Sequence, residues 1–211
     1  MLAGVAGSLL LAVGAFLLRE LPSTGASAMD VYAYFLDHRD AVTSGTAALL
    51  GGLALLIPFL ATVRVEERVS GRGPSTTSML AAGVVAVLAG TFAAALVGGL
   101  AVGAENADPG SSRTLLDVAQ TLGAAAGPLF AVAILSAAAG AYGDNAPAWI
   151  PLLWVVCALA CLLWLGPLVN DAAITAYGSV LGTYAGVAGL IAWTATSAIL
   201  ARRPDPRLEP Q

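Results

Sequence analysis

The chain has 211 residues, of which 10% are charged and 58% are hydrophobic, and its mean hydropathy is +0.85. Because a soluble domain carries about 25% charged residues, this composition indicates a membrane protein. The net charge of -4 comes from nine arginines and thirteen acidic residues with no basic stripe, which argues against nucleic acid as a partner.

Long hydrophobic runs predict the main elements. A bilayer core of about 30 Å needs about 20 apolar residues per helix, and the runs lack the alternation of barrel strands. Only helices or closed barrels satisfy the backbone in lipid, so the predicted fold class is all-α, a polytopic transmembrane helical bundle. We expect one domain over residues 1–201 and a short cytoplasmic tail over 202–211. The six predicted spans cover about 1–18, 43–63, 79–103, 116–142, 149–169 and 173–200.

The first run has an alternative reading as a cleaved signal peptide, because Ala26-Ser27-Ala28 follows it. The usual basic segment before the run is missing, however, and the Ala-x-Ala motif lies about eight residues beyond the run. We therefore expect a retained span. Cleavage would leave five spans and would invalidate the topology derived below.

The polar stretch DVYAYFLDHRD, residues 30–40, follows the first span. Ser27 precedes Asp30 by three residues, as in an N-cap with an acid in the first turn. Apolar or aromatic residues then recur at i, i+3, i+4 and i+7, which predicts a short outer amphipathic helix at about 28–40. As a candidate outer interface we select Tyr34, Phe35, His38 and, from the link between the last two spans, Asp171. A lone histidine is typical of a surface group unless partners surround it.

Arginine positions predict the orientation, because cytoplasmic flanks carry the excess of positive charge. With both termini in the cytoplasm, the cytoplasmic side holds Arg64, Arg68, Arg72, Arg202, Arg203 and Arg207, and the outer side holds Arg19, Arg39 and Arg113. The outer side then carries eight of the acidic residues, and these short acidic loops keep the outer face solvated. The predicted location is the bacterial plasma membrane, with multiple passes and with the lipid bilayer as a partner.

Small residues repeat along three predicted spans at every fourth position. They are Ala82, Ala86, Gly90, Ala94 and Gly98 in the third span, Gly123, Gly127 and Ala131 in the fourth, and Gly178, Gly182 and Gly186 in the sixth. Helices in lipid associate through such residues, which let their backbones approach closely. The ridges indicate packing within the bundle, and the alternative is self-association or binding of a protein partner.

One polar patch stands out within the spans. Asp117, Gln120 and Thr121 lie together near the start of the fourth span, and Tyr184 in the sixth span can contribute a hydroxyl. A polar group inside a membrane often marks a path for an ion or a substrate. We therefore select these four residues as a candidate polar patch.

Chemical motifs are otherwise missing from the sequence. It contains one histidine and no HExxH, GxSxG or phosphate-binding glycine loop. Cys157 and Cys161 lie four apart without two further ligands for a zinc or iron-sulfur site, and they are typical of small apolar core residues. We predict no catalytic residue, no metal and no cofactor, and we expect a non-enzymatic protein.

The order of several short motifs resembles a group of small actinobacterial six-helix integral membrane proteins of unknown function. The motifs are YAYFLDHRD at 32–40, the arginine-flanked loop from Arg64 to Arg72, PAW at 147–149 and ARRPDP at 201–206. The resemblance implies the architecture and carries no functional residue with it.

Three hypotheses for the function follow. The first is a non-enzymatic accessory, scaffold or sensor protein whose outer helix contacts a partner or lipid. The second is a small permease or channel for a neutral or apolar solute, with a hydrated path lined by Asp117, Gln120, Thr121 and Tyr184. The third, an intramembrane enzyme, requires His38 to lie within hydrogen-bond reach of Asp117 or Asp171.

Overall fold

The computed structural model describes residues 1–23, 25–69, 74–143, 146–163 and 180–200, with side chains except those of 64–69, 74–76, 143 and 180–183. Every regular element in these ranges is helical. In chain order the helices are α1 (Leu2–Leu17), α2 (Ala28–Asp37), α3 (Arg39–Val69), α4 (Pro74–Gly103), a 3-10 turn (Ala104–Asn106), α5 (Pro109–Gly143), α6 (Trp149–Leu162) and α7 (Val180–Leu200). The predicted all-α class is confirmed.

Three helical segments, Arg39–Val63, Thr77–Asn106 and Pro109–Tyr142, are long and apolar enough to cross a membrane. Three shorter segments are also apolar, namely Leu2–Leu17, Trp149–Leu162 and Tyr184–Leu200. The predicted fifth and sixth spans extend over residues 164–179, which lie outside the described residues.

Several helices are longer than the apolar runs from which the spans were predicted. The second predicted span starts at residue 43, whereas α3 begins at Arg39, and the third starts at 79, whereas α4 begins at Pro74. The fourth was predicted from 116, but α5 begins at Pro109, so Asp117 lies two turns inside it. Hydropathy finds only the apolar part of a helix, whereas local caps determine where it starts. At α5 the Asp108 carboxylate accepts the Ser111 N–H at 3.0 Å, and Pro109 suits a first turn.

The helices other than α2 contact one another in ring order, α1–α3–α4–α5–α6–α7 and back to α1. α1 and α3 run antiparallel, since a Cβ built at Gly7 of α1 would lie 2.8 Å from the Gly52 carbonyl oxygen of α3, and one at Gly14 would lie 2.8 Å from that of Gly45. In the same way, a Cβ at Gly90 of α4 would lie 3.2 Å from Leu53 of α3. The ridge predicted on the third span therefore packs against α3, and small residues allow these close approaches.

Contacts between α7 and its two neighbours close the ring. Ser8 of α1 and Thr194 of α7 hydrogen-bond through their hydroxyls at 3.2 Å, and Phe59 of α3 meets Trp193 edge-on with ring centroids 5.2 Å apart. On the other side, the Trp154 indole N–H of α6 donates to Thr196 at 2.7 Å. These side chains are buried, and they connect the first and last described helices into one core.

The two cysteines lie in the contact between α6 and α7. Both are buried free thiols, and the Cys161 thiol lies 3.8 Å from the Gly186 carbonyl oxygen. A Cβ at Gly189 would lie 2.9 Å from the Cys157 carbonyl oxygen. Of the ridge predicted on the sixth span, Gly186 is therefore part of this packing, while Gly178 lies outside the described residues.

Candidate functional site

One end of the ring is covered by the segment that joins α1 to α2, residues 18–27, and by α2 itself. We call residues 18–23 and 25–27 the linker. The Arg113 side chain of α5 reaches across to it, and its Nη1 donates to the carbonyl oxygens of Ala26 at 2.8 Å and Ser23 at 3.1 Å. Main-chain carbonyls of a loop need donors when they leave water, and Arg113 supplies them here.

Asp117 holds the Arg113 guanidinium in position. Its carboxylate accepts from Arg113 Nε at 3.0 Å and lies 2.9 Å from Nη2, one helical turn along α5. The Arg113 side chain is 18% exposed and that of Asp117 is 46% exposed, so water partly screens the ion pair. Its geometric effect is to aim the guanidinium at the linker.

Gln120 adds a second attachment to the linker. Its Nε2 donates to the Pro22 carbonyl oxygen at 2.8 Å, and its side chain is buried. The amide oxygen of Gln120 is buried, and it has no hydrogen-bond partner among the described residues. Because Arg113, Asp117 and Gln120 are spaced i, i+4 and i+7, they share one face of α5. We call these three residues the linker latch.

Apolar packing holds α2 against the same end of the ring. Ser27 and Asp30 form a capping box, in which the Asp30 N–H donates to Ser27 Oγ at 3.1 Å and the Ser27 N–H donates to Asp30 Oδ2 at 3.2 Å. This confirms the predicted N-cap. Val31 and Phe35 point into a buried cluster with Leu18, Leu21, Val42, Val97, Leu100, Ala101, Ala104, Leu116 and Ala119.

A second ion pair joins the start of α3 to the end of α4 and the 3-10 turn that follows it. Arg39 Nη1 lies 2.8 Å from the Glu105 carboxylate, and its Nη2 donates to the Val102 carbonyl oxygen at 3.3 Å. Both side chains are exposed, so we assign the pair a positioning role and little energy.

Beneath the linker lies a cavity of about 140 Å³ inside the ring. Half of its sixteen described lining residues are glycine or alanine, mostly from α4 and α5, while α1 and α3 contribute leucines. The described lining consists of Leu11, Ala15, Leu18, Leu21, Leu49, Leu53, Gly90, Ala93, Ala94, Val97, Ala119, Gly123, Ala124, Ala126, Phe130 and Val187.

The four residues of the predicted polar patch do not surround a common path in the described structure. Asp117 and Gln120 belong to the linker latch, and the exposed Thr121 donates its hydroxyl to the Asp117 carbonyl oxygen of its own helix at 2.8 Å. Tyr184 is half-buried on α7. None of the four is among the described residues that line the cavity. Gln120 binds the linker directly, whereas Asp117 acts through Arg113, a residue that was not selected from the sequence.

The predicted outer interface is divided between packing and exposure. Phe35 is buried, Tyr34 is half-buried, and His38 is exposed with its ring stacked on Tyr34 at 4.5 Å between centroids. Burial, and secondarily the negative charge of Glu20, raise the pKa of the Tyr34 phenol above its ordinary value of 10. Asp171 lies outside the described residues.

His38 caps the end of α2. Its Nδ1 lies 3.2 Å from the Tyr34 carbonyl oxygen, and no hydrogen bond joins it to Asp117, whose carboxylate pairs with Arg113. Among the described residues, no group of three or more His, Cys, Asp or Glu side chains is placed to hold a metal ion.

A sequence signal for the latch existed in the spacing of Arg113, Asp117 and Gln120. The stripe of three polar residues on one helix face indicates a polar contact surface, but it does not identify what the surface binds. The partners lie 87 to 98 positions earlier in the chain, in the linker.

Comparison of the chain with protein-family models, with curated proteins and with solved structures found no match.

Proposed function

We propose that this chain is a multi-pass protein of the bacterial plasma membrane, with six spans, both termini in the cytoplasm and the linker outside. Support comes from the three long apolar helices and the three shorter apolar ones that complete the ring. In addition, the end of the ring that carries α2 holds seven acidic residues and three arginines among the described residues, as expected of an outer face. The resemblance to small actinobacterial six-helix membrane proteins agrees with this architecture and stays a prediction.

We further propose that the protein acts without catalysing a reaction, as an accessory, scaffold or sensor protein whose outer surface contacts a partner. The observation that carries this proposal is the use of the polar residues of α5. Arg113 and Gln120 bind the linker across one end of the ring, and Asp117 holds Arg113 in place. An apolar cavity lies beneath the linker. An ion or a polar solute passing through such a cavity would lose its hydration without gaining a partner.

Cysteine labelling tests the orientation. Cys157 and Cys161 are first changed to alanine, and single cysteines are then introduced at the exposed Ser111 and at Arg68. With a membrane-impermeant maleimide on intact cells, we expect Ser111→Cys to react, and Arg68→Cys to react only after lysis. The reverse pattern would overturn the proposed layout.

A small permease for a neutral or apolar solute is the second candidate, and the cavity inside the ring is the observation that favours it. Glycerol flux into proteoliposomes, measured by stopped-flow light scattering, separates the two functions. Under the first proposal, wild-type protein and Asp117→Asn give the same flux as liposomes without protein. Flux through the wild type that is lost in Ala124→Leu, which fills the cavity, would favour the permease.

A further inference from the structure

We propose that the cavity beneath the linker is a binding site for a hydrocarbon group of about six carbons, such as the end of a lipid acyl chain or a small free hydrocarbon. The site deepens the proposed function and rests on it, because it gives a sensor or accessory protein a ligand of defined chemistry. It assigns a role to a partly open apolar space that Leu18 and Leu21 of the linker help to line.

The chemistry of the wall defines the class of ligand. None of the sixteen described lining residues has a hydroxyl, amide or charged group in its side chain, and most of the accessible wall is apolar. A polar ligand group would give up its hydrogen bonds to water without replacement there, whereas a hydrocarbon loses none. Aliphatic and aromatic hydrocarbon groups therefore fit this wall best.

The size of the cavity sets the size of the ligand. Its volume is about 140 Å³, and apolar protein cavities of about 150 Å³ stay dry and bind benzene or xenon. One six-carbon group fills such a space. A longer chain would place only its end inside.

The cavity differs from the packing in the rest of the ring. At Gly7 and Gly52 the backbones of α1 and α3 approach so closely that a Cβ on either glycine would lie under 3.0 Å from the other's carbonyl oxygen. At the cavity, α4 and α5 instead present residues such as Ala93, Ala94 and Ala124 to the leucines of α1 and α3 without closing the gap.

Hydrogen bonds outside the cavity position the part of the linker that lines it. Leu18 and Leu21 line the cavity, and Pro22, next to Leu21, accepts the hydrogen bond from Gln120. Arg113 binds Ser23 and Ala26 further along the linker. Since these bonds hold the main chain of the linker, the two leucines stay in place whether or not a ligand touches them.

Two probes test the site in purified protein. Benzene is added to protein in detergent, and the apparent Tm is measured. In nanodiscs, phosphatidylcholine with a diazirine at the end of one acyl chain is photolysed, and the adducts are mapped by mass spectrometry. We expect benzene to raise the apparent Tm of the wild type by about 3 °C. We also expect adducts on the buried residues Leu53 and Phe130, in addition to exposed ones such as Phe92.

Filling the cavity provides the matched comparison. Ala124→Leu, with Ala93→Leu as a second variant in case the first does not fold, should abolish the benzene shift and the buried adducts. Ala95→Leu, on an exposed position of α4 outside the described lining, should keep both.

The two probes also distinguish the source of the ligand. Buried adducts identify a lipid chain as the occupant, and a benzene shift without them identifies a free small hydrocarbon. The proposal is overturned if the wild type shows no buried adduct and if benzene raises its apparent Tm no more than that of Ala124→Leu. That result would leave the cysteine-labelling pattern unchanged, so failure of this site and failure of the proposed topology are separate outcomes.

Discussion

Glycine at individual positions determines how closely α1 and α3 pack. Gly7 and Gly14 of α1 face Gly52 and Gly45 of α3, where a Cβ at either α1 position would lie 2.8 Å from a carbonyl oxygen of α3. The spacing of seven in both helices keeps the glycines on the same contact surface. The predicted ridges had a spacing of four and lay on other spans, so this contact was missed.

At the residue scale we predict that Gly52→Ala destabilises the protein relative to Gly51→Ala. A Cβ at Gly52 would lie 2.7 Å from the Gly7 carbonyl oxygen, whereas one at Gly51 would meet only Leu10 Cδ1 at 3.6 Å. Both changes gain the same helix propensity, so their difference isolates the clash, which we expect to cost about 1 to 3 kcal/mol. Equilibrium unfolding in mixed micelles measures it, and equal stability of the two variants would contradict the close approach.

At the scale of elements, α2 is a short helix that depends on local and long-range support together. With ten residues it is too short to persist alone in water. The capping box supplies the local part, and burial of Val31 and Phe35 supplies the long-range part. The amphipathic pattern predicted the apolar stripe correctly, and His38 lies at its exposed end beyond the last helical residue.

We predict that Ser27→Ala increases amide hydrogen exchange in the first turn of α2. The change removes the acceptor for the Asp30 N–H and should cost about 1 kcal/mol, which corresponds to roughly fivefold faster exchange if opening is local. Ser27→Thr keeps the hydroxyl and serves as the control. Unchanged exchange in Ser27→Ala would show that packing alone holds this turn.

At the scale of the whole molecule, closure of the ring brings the two ends of the described chain together. The ring of Phe59 on α3 lies against Trp193 of α7, and a Cβ at Gly4 of α1 would overlap the Phe59 ring. Residues from α1, α3 and α7 therefore meet around Phe59. The Trp193 indole nitrogen is buried without a hydrogen-bond partner. Apolar and aromatic contact therefore carries this junction.

We predict that Phe59→Ala lowers the free energy of unfolding by about 3 to 5 kcal/mol, because the Phe59 side chain is 0% exposed and its removal leaves a cavity. Phe92 is 63% exposed on α4, and Phe92→Ala should have a much smaller effect in detergent. Thermal unfolding followed by tryptophan fluorescence compares the two. A similar loss of stability in both variants would show that Phe59 is no more important to the core than the exposed Phe92.

The amino-acid sequence by itself determined the local structure. Apolar runs of membrane length predict helices because lipid leaves the backbone no other partner, and the spacing of Ser27 and Asp30 predicts where α2 begins. These signals depend on residues within a few turns of each other. They were less accurate at helix ends such as Pro109, where a cap extends the helix beyond its apolar part.

Only the tertiary structure decided what the polar residues of α5 do. The sequence placed Asp117 and Gln120 in one patch, but whether that patch lines a path or binds a loop depends on which residues lie opposite. Those residues, Pro22, Ser23 and Ala26, contribute main-chain carbonyl oxygens, which every residue type has. The cavity is likewise a property of five helices and the linker together, because its shape depends on how these elements pack.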